Sequence, residues 1–399
     1  MVFSIAQNGK LLSMNNTKKE NILILFGADS KLQWGRSYQL AKAFAKNGHE
    51  VLYVDLPNPV QHAFDKTKYK TITTNNNVAN LKVFRPSWGL PYVRFKLLRP
   101  INYYIILQQI LNYLEKNNFI PTILWIYSPY DPDIGHEIIN KHKPNKVVYD
   151  CADERLSFAE LYGGEKARKA VEMFELEIAK YVDVVITITE NLRKNKEKIH
   201  EKIIVIPNGI DIAMFSNKIN FNCPECIRNL PGKKILYLGT IAKWVDLDLI
   251  ESCALKFPLD SFVFVGSCET DVKILNKHKN IYFIGPVPYC AVPAYIYNSD
   301  VGIIPFKSDG MIKYSNTLKA LQYLCVGKPV LSTYYDGVED YFGTVNIAAT
   351  EIEFIEKLDL ILSSQLKVTS PDLNKIINNY SWDMIASRAL SELYTISKS

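Results

Sequence analysis

The sequence alternates short, continuous runs of apolar residues with stretches that have the spacing of helices. In the first half, such runs occupy residues 21–27, 51–55, 122–127, 146–150, 183–188 and 203–207. Successive side chains of a strand point to opposite faces, so strands without polar interruptions are typical of a parallel sheet covered by helices on both faces. Residues 37–47, between the first two runs, have helical periodicity. This alternation predicts βαβ units and an α/β fold.

A second alternating series follows an irregular, proline-containing stretch. Its apolar runs occupy residues 234–239, 262–266, 281–285 and 301–305. We therefore predict two Rossmann-like, doubly wound domains that face a cleft. The predicted boundaries are an N-terminal extension over residues 1–19, a first domain over 20–212, a linker over 213–231, a second domain over 232–375 and a C-terminal segment over 376–399.

Composition and charge exclude several classes of protein. The 399 residues are 48% hydrophobic, which supports sizeable cores rather than disorder. The net charge of +6 is spread without a dense basic tract, so we expect no nucleic-acid partner. No apolar stretch reaches about 18 residues, and no signal-peptide pattern is present, so we expect a cytoplasmic protein. Cys223 and Cys226 form a lone C-x-x-C pair, for which we expect neither a metal nor a redox role.

The stretch 315–330 combines a polar loop, a short helix, a glycine turn and an apolar strand. Asn316 or Thr317 can cap the helix, whose free N–H groups and dipole would attract an anion. Lys319 lies in the first turn, where the dipole disfavours a cation unless an anion is present. Gln322 follows on the same side of the helix. The pattern fits a phosphate site and an ordinary surface helix equally well.

Ligands of open α/β sheets bind beyond the carboxyl ends of the strands. In the second half, these ends carry Gly239, Thr240, Gly266 and Pro286, which suggests a pocket for a nucleotide diphosphate. Glycine at a strand end also serves ordinary turns. The first strand lacks the Gly-x-Gly-x-x-Gly motif, which counts against a dinucleotide enzyme.

Basic and aromatic residues interleave without acids over residues 88–104. Such a segment suits the interfacial zone of an anionic membrane. A partly buried loop explains the same composition, so peripheral contact with the inner membrane face is one of two interpretations.

The ordered set of motifs resembles GT-B glycosyltransferases, over about residues 20–396. It is most similar to the bacterial polysaccharide enzymes of glycosyltransferase family 4 and the xanthan glucuronosyltransferase-like group. The motifs are Gly35-Arg36-Ser37, Asn208-Gly209-Ile210-Asp211, Tyr237-Leu238-Gly239-Thr240-Ile241 with Trp244 and Asp246, Lys319-x-x-Gln322-Tyr323-Leu324 leading to Gly327-Lys328-Pro329-Val330, and Ser381-Trp382-Asp383.

The resemblance implies that the second domain binds a nucleotide sugar, that the first binds the acceptor and that the terminal helix crosses back to the first domain. The implied donor-binding residues are Gly239, Thr240, Lys243, Gly266, Pro286, Asn316, Thr317, Leu318, Lys319 and Gln322. The residues expected on the acceptor side of the cleft are Trp34, Gly35 and Arg36.

Two carboxylates of the retaining signature are absent, because Gln322 and Tyr314 occupy the positions where the family has Glu. This departure favours the xanthan-type group, whose similar helix also has Gln and whose reaction inverts the anomeric centre. Inversion requires a general base on the acceptor hydroxyl. We expect Asp153 to be that base, with Asp150 as the second candidate and a loop or N-cap carboxylate as the alternative for Asp150. Arg36 and Lys243 are candidates to offset diphosphate charge.

We expect a glycosyltransferase that moves a sugar from a nucleotide diphosphate to a glycan, lipid-linked, in cell-surface polysaccharide synthesis. No cofactor or metal is expected, since helix N–H groups and lysine can hold the diphosphate, and Asp131-Pro132-Asp133 is better explained as a turn than as a metal motif. Two alternatives stay open: a nucleotide-sugar epimerase of similar architecture, and a non-catalytic nucleotide-sugar-binding protein.

Overall fold

The computed structural model describes residues 18–27, 29–30, 35–57, 72–75, 78–87, 99–128, 132–216, 221–308, 310–338, 341, 343–365 and 373–396. Trp34, Asp131, residues 1–17 and residues 88–98 lie outside these ranges. No helix in the described part of the chain is both long and apolar enough to cross a bilayer.

The first sheet has eight strands in the order β3-β4-β2-β1-β5-β6-β7-β8. They are β1 (Asn21–Gly27), β2 (Glu50–Asp55), β3 (Ile72–Asn75), β4 (Leu81–Arg85), β5 (Ile123–Ile126), β6 (Lys146–Cys151), β7 (Val184–Thr187) and β8 (Ile203–Val205). All pairs are parallel except the antiparallel pair β3–β4. The helices that follow these strands are α1 (Arg36–Lys46), α2 (Arg99–Lys116), α3 (Pro132–His142), α4 (Arg155–Ala179), α5 (Glu190–Lys196) and α6 (Ile212–Ser216).

The second sheet has six parallel strands in the order β11-β10-β9-β12-β13-β14. They are β9 (Lys234–Leu238), β10 (Ser261–Val265), β11 (Ile281–Gly285), β12 (Val301–Ile304), β13 (Val330–Thr333) and β14 (Val345–Ala348). The remaining helices are α7 (Glu225–Arg228), α8 (Leu247–Lys256), α9 (Lys273–Asn276), α10 (Val292–Tyr297), α11 (Leu318–Val326), α12 (Glu351–Leu362), α13 (Leu373–Tyr380) and α14 (Trp382–Thr395).

Strand β1 shows why the apolar runs are continuous. Ile22 and Ile24 pack into the core on one face of the first sheet. Leu23 and Leu25 pack into the core on the other face. Because both faces are covered, no position along the strand tolerates a polar side chain without a partner. The predicted α/β fold with two Rossmann-like sheets is confirmed.

Helix α14 lies against the first sheet although it follows the second in sequence. Its apolar side chains join the core beneath α1. Gly209, in the turn between the sheets, is packed so closely that a Cβ there would lie 2.8 Å from Cδ2 of Trp382. The backbone of Ile210 also donates a hydrogen bond to the carbonyl of Tyr380 (2.7 Å). The turn after β8 and the start of α14 therefore form one packed unit.

Strand β3 and the start of helix α4 differ from what the sequence pattern predicts. Strand β3 pairs antiparallel at the sheet edge, where four residues carry little apolar signal. Helical spacing in the sequence predicts a helix from Glu165 onward, whereas helix α4 begins ten residues earlier, at Arg155, and is kinked at Gly164 (φ 69°, ψ −172°). Glycine is suited to this kink because a positive φ strains a residue with a Cβ.

Candidate active site

The start of α11 has the structure that its sequence predicts. Thr317 is the N-cap, and its side chain accepts a hydrogen bond from the backbone N–H of Lys319 (3.4 Å). Gly327 ends the helix in the left-handed conformation (φ 79°). The remaining free N–H groups of the first turn leave a partial positive charge at this end of the helix.

The Lys319 ammonium lies against two aromatic rings rather than against an anion. Its Nζ is 4.7 Å from the ring centroid of Phe306 and 5.2 Å from that of Tyr237. Within the described ranges, no residue forms an ion pair or hydrogen bond with it. Burial without a counter-ion lowers the pKa of Lys319 to about 8. An unpaired cation at a helix N-terminus is a strong attractor for an anionic ligand.

Two glycines make room for this arrangement. A Cβ on Gly239 (φ +110°) would lie 2.8 Å from Cε and 3.1 Å from Nζ of Lys319. A Cβ on Gly266 (φ +149°) would lie 2.2 Å from the carbonyl oxygen of Gly239. Both positions therefore need glycine, for the backbone conformation and for the space above the strand ends.

A cavity of about 140 Å³ lies between the two sheets. It brings Asp153 of the first domain to the same space as Thr317 and Lys319 of the second. Its lining residues are Asp153, Glu154, Phe158, Trp244, Phe306, Ile312, Tyr314, Ser315, Thr317 and Lys319. A concave, largely apolar cavity with a few convergent charged groups is typical of a small-molecule site.

The two candidate bases have different environments. The Asp150 carboxylate is fully buried and accepts hydrogen bonds from Nε of Arg36 (3.2 Å to each oxygen) and from Nε1 of Trp125 (3.1 Å). Asp153 is exposed and lines the cavity. Desolvation by the neighbouring protein raises the pKa of its carboxyl, against the opposing charges of Arg155 and Arg36. A raised pKa makes a carboxylate a better proton acceptor.

A buried ion cluster lies behind Asp153. Lys196 is fully buried, with Nζ 2.8 Å from Oε2 of Glu175 and 3.4 Å from Oε1 of Glu154. Glu154 also accepts from the backbone N–H of Leu156 (3.2 Å) and so caps α4. Tyr149 donates to Glu175 (2.9 Å). The cluster fixes the residue next to Asp153. No sequence pattern predicts this cluster, because its members are far apart along the chain.

Asn316 connects the second domain to the turn after β8, and Arg36 holds the same turn from within the first domain. Oδ1 of Asn316 accepts from the backbone N–H of Asn208 (3.1 Å), and Nδ2 of Asn208 donates to the Asn316 carbonyl (3.0 Å). Nη1 of Arg36 donates to the carbonyl of Pro207 (2.9 Å) and to Oδ1 of Asn208 (3.3 Å). Gly35 is the N-cap of α1, directly before Arg36.

The other residues expected to bind the donor are dispersed around the second sheet. Gln322 is buried, lies outside the cavity lining and forms a side-chain hydrogen bond with Tyr289. Leu318 packs against the first-domain core. Oγ1 of Thr240 is hydrogen-bonded to Ser267 (3.0 Å). Lys243 lies in an outer part of the cleft, and Pro286 is exposed after β11.

The described residues do not include a cluster of three or more His, Cys, Asp or Glu side chains arranged to hold a metal ion. Asp133, the described acid of the Asp131-Pro132-Asp133 sequence, lies in the first turn of α3 and is exposed.

Two parallel Rossmann-like sheets that share one cleft, with a terminal helix on the first, define the GT-B fold. Sucrose-phosphate synthase from Thermosynechococcus elongatus has this fold with a TM-score of 0.69, 15% identity, and coverage of 96% of this chain and 100% of that one. Anabaena HepE in complex with UDP matches with a TM-score of 0.63 and 12% identity over 95% of this chain and 100% of HepE.

One sequence relative is also named as a glycosyltransferase. The putative teichuronic acid biosynthesis glycosyltransferase TuaH of Bacillus subtilis is 28% identical over 202 residues, 47% of this chain. The match spans 50% of the length of that relative. No protein-family model matches the sequence. The structural matches confirm the predicted GT-B fold, and the sequence match, over about half of each chain, is to a protein named as a polysaccharide glycosyltransferase.

Proposed function

We propose that the protein transfers a sugar from a nucleotide diphosphate to a glycan acceptor during synthesis of a cell-surface polysaccharide. The observation that carries the proposal is the unpaired Lys319 ammonium at the start of α11, in the same cavity as Asp153. The Bacillus relative, which is named as a teichuronic acid biosynthesis glycosyltransferase, supports the polysaccharide assignment.

The donor diphosphate would bind at the start of α11. Its charge would meet the free N–H groups of the first turn and the Lys319 ammonium, which supply the stabilisation that a departing diphosphate needs. Gly239 and Gly266 would let the phosphates approach the backbone. UDP is the nucleotide that we propose first, since HepE is described in complex with UDP. This arrangement works without a metal.

Asp153 would act on the acceptor side. In an inverting transfer, the acceptor oxygen forms a bond to the anomeric carbon while the bond from that carbon to the diphosphate oxygen breaks. The hydroxyl proton goes to the Asp153 carboxylate, and the negative charge leaves with the diphosphate toward Lys319. Asp150, already ion-paired, would hold Arg36 in position rather than accept the proton.

We propose that the acceptor is lipid-linked and that the first domain contacts the inner membrane face. The described end of the segment 88–104 supports this, because Ile101 and Tyr104 of α2 are large, exposed apolar side chains. Exposed aliphatic and aromatic residues beside basic ones are typical of interfacial contact.

The test combines nucleotide binding with transfer. Calorimetry with UDP, GDP and dTDP measures binding, and radiolabelled UDP-sugars incubated with a bacterial lipid extract measure transfer into the organic phase. We expect UDP binding and label in the lipid. Free sugar without labelled lipid would favour the epimerase alternative, and nucleotide binding without any turnover would favour the non-catalytic one. Binding of none of the three nucleotides would refute the proposal.

A further inference from the structure

The first part of α4 is a separate segment that spans the cleft. Gly164 adopts φ 69° and ψ −172°, which divides the helix into residues 155–163 and a longer part that ends at Ala179. The adjoining Gly163 is also restricted, because a Cβ there would lie 2.6 Å from the Cβ of Ala167. We call residues 155–163 the cleft segment.

Aromatic contacts connect the cleft segment to the second domain. The ring of Phe158 lies edge-on to that of Trp244, with centroids 6.4 Å apart and an interplanar angle of 71°. Phe158 also stacks on Tyr162 (6.4 Å, 8°), whose hydroxyl donates to Oε2 of Glu269 across the cleft (2.9 Å). Phe158 is nevertheless 36% exposed and Tyr162 62% exposed. Large aromatic faces open to solvent at the mouth of a cavity are available to a ligand.

Lys319 and two aromatic side chains line different parts of the cavity. Lys319 is half-buried at the start of α11, with Nζ 4.7 Å from the ring centroid of Phe306. Phe158 is exposed and Trp244 is half-buried, and both line the same cavity. Asp153 shares the lining and shortly precedes Phe158 in sequence. A donor sugar attached to a diphosphate at Lys319 would fill the part of the cavity next to Lys319, so a sugar ring beside Phe158 and Trp244 would belong to the acceptor.

We propose that Phe158 and Trp244 form an aromatic platform for the terminal pyranose ring of the acceptor, an inference that rests on the proposed function. A pyranose has a face of C–H groups that packs on an aromatic ring and a rim of hydroxyls that stays free to hydrogen-bond. Stacked on this platform, the acceptor ring would direct a hydroxyl toward Asp153. Since each domain supplies one of the two rings, the platform is complete only with the cleft segment in contact with the second domain.

The experiment is a fluorescence titration of the UDP-saturated protein with methyl glycosides of hexoses, N-acetylhexosamines and hexuronic acids. Trp244 reports on the platform, and Trp244→Phe identifies its share of the signal. We expect at least one glycoside class to give a saturable change that Trp244→Phe abolishes. Phe158→Leu, which keeps an apolar side chain but removes the ring, should raise the Kd about tenfold. Phe158→Tyr should restore binding.

The matched control is Phe283→Leu. Phe283 is 37% exposed, similar to Phe158, but it lies on the edge strand β11 and packs at a tilt against Phe264. The control should leave glycoside binding unchanged, and both leucine variants should keep the UDP affinity of the parent. Equal glycoside affinity in Phe158→Leu and the parent, or no glycoside binding to the UDP-loaded parent, would overturn the platform. Failure of the parent to bind UDP would instead refute the proposed function.

Discussion

Substitution of Lys319 by methionine should stabilise the unliganded protein and weaken nucleotide binding. Methionine keeps an unbranched apolar side chain, slightly shorter than that of lysine, but removes the charge. The fold lowers the pKa of Lys319 from 10.5 to about 8, which corresponds to a cost of about 3 kcal/mol for the charged form. Contact with the rings of Tyr237 and Phe306 offsets about 1–2 kcal/mol of that cost. We therefore expect a gain in unfolding free energy of about 1–2 kcal/mol at pH 7.

Lys319→Met should weaken UDP binding although it stabilises the unliganded protein. Loss of the cation that faces a buried diphosphate should cost about 2 kcal/mol or more, which is about a thirtyfold increase in Kd. A residue that only packs would not combine greater stability with weaker binding.

The pH dependence follows from the direction of the shift. Because the pKa of Lys319 is lower in the folded protein than in the unfolded chain, the folded protein binds fewer protons between about pH 8 and 10.5. The destabilisation is thus complete below about pH 8 and disappears as the pH rises toward 10.5. The stability difference between Lys319→Met and the parent should shrink over that window. UDP affinity of the parent should fall above about pH 8 as the free amine loses its proton.

Urea denaturation at pH 7 and pH 10 measures the stability difference, and calorimetry measures UDP affinity. Lys328→Met is the matched control, since Lys328 also lies over an aromatic ring (5.5 Å from the centroid of Tyr297) but not in the cavity lining. We expect it to leave UDP binding unchanged. A Lys319→Met protein that is less stable than the parent and binds UDP equally well would refute the argument.

Three further predictions concern the same cavity. Gly239→Ala should lower UDP affinity about tenfold, because the new Cβ would meet the Lys319 side chain and a positive φ costs a non-glycine residue about 1–2 kcal/mol. Calorimetry measures the UDP affinity, and an unchanged affinity would contradict the prediction. Asp153→Asn should lower kcat about 10²–10⁴-fold while UDP binding is retained. The control Asp133→Asn, at an exposed acid of the same domain, should leave kcat unchanged. Sugar transfer by Asp153→Asn at the parental rate would show that another group is the base. The raised pKa of Asp153 also predicts that kcat/KM of the parent falls, as the pH is lowered, at a higher pH than for an ordinary aspartate. Lys196→Met should lower the unfolding free energy, measured by urea denaturation, by about 3–5 kcal/mol, since it leaves Glu154 and Glu175 buried without their cation. The additional substitution Glu175→Gln should recover part of that loss. An unchanged unfolding free energy in Lys196→Met would mean that the cluster is hydrated.

Local pattern was enough to predict several elements closely. Strand β1 matches the predicted run at residues 21–27, because burial on both faces requires an apolar side chain at every position. The start of α11 was predictable because capping and the glycine C-cap are local interactions. The kink at Gly164 was missed, because two adjacent glycines do not reveal which of them takes a positive φ.

The environments of the two candidate bases could not be predicted from the sequence pattern. Asp150 and Asp153 are three residues apart on the same strand end, and sequence gives no means to separate their environments. The fold places Asp150 against Arg36 and Trp125, which belong to other elements, and it places Asp153 in the lining of the cavity. For Gln322, the sequence predicts the position on the helix relative to Lys319. The burial of Gln322 beside Tyr289 was not predictable in the same way, because Tyr289 belongs to a distant segment of the chain.

By itself, the sequence determined the fold class, the capped helix start at Thr317 and the presence of Lys319 within it, because these depend on periodicity and on hydrogen bonds between near neighbours. The tertiary structure decided that Lys319 lies without a counter-ion, that it shares a cavity with Asp153 and that Phe158 reaches Trp244 across the cleft. Those properties arise from contacts between the two domains, and a charge's pKa and accessibility depend on all the groups around it, whatever their separation along the chain.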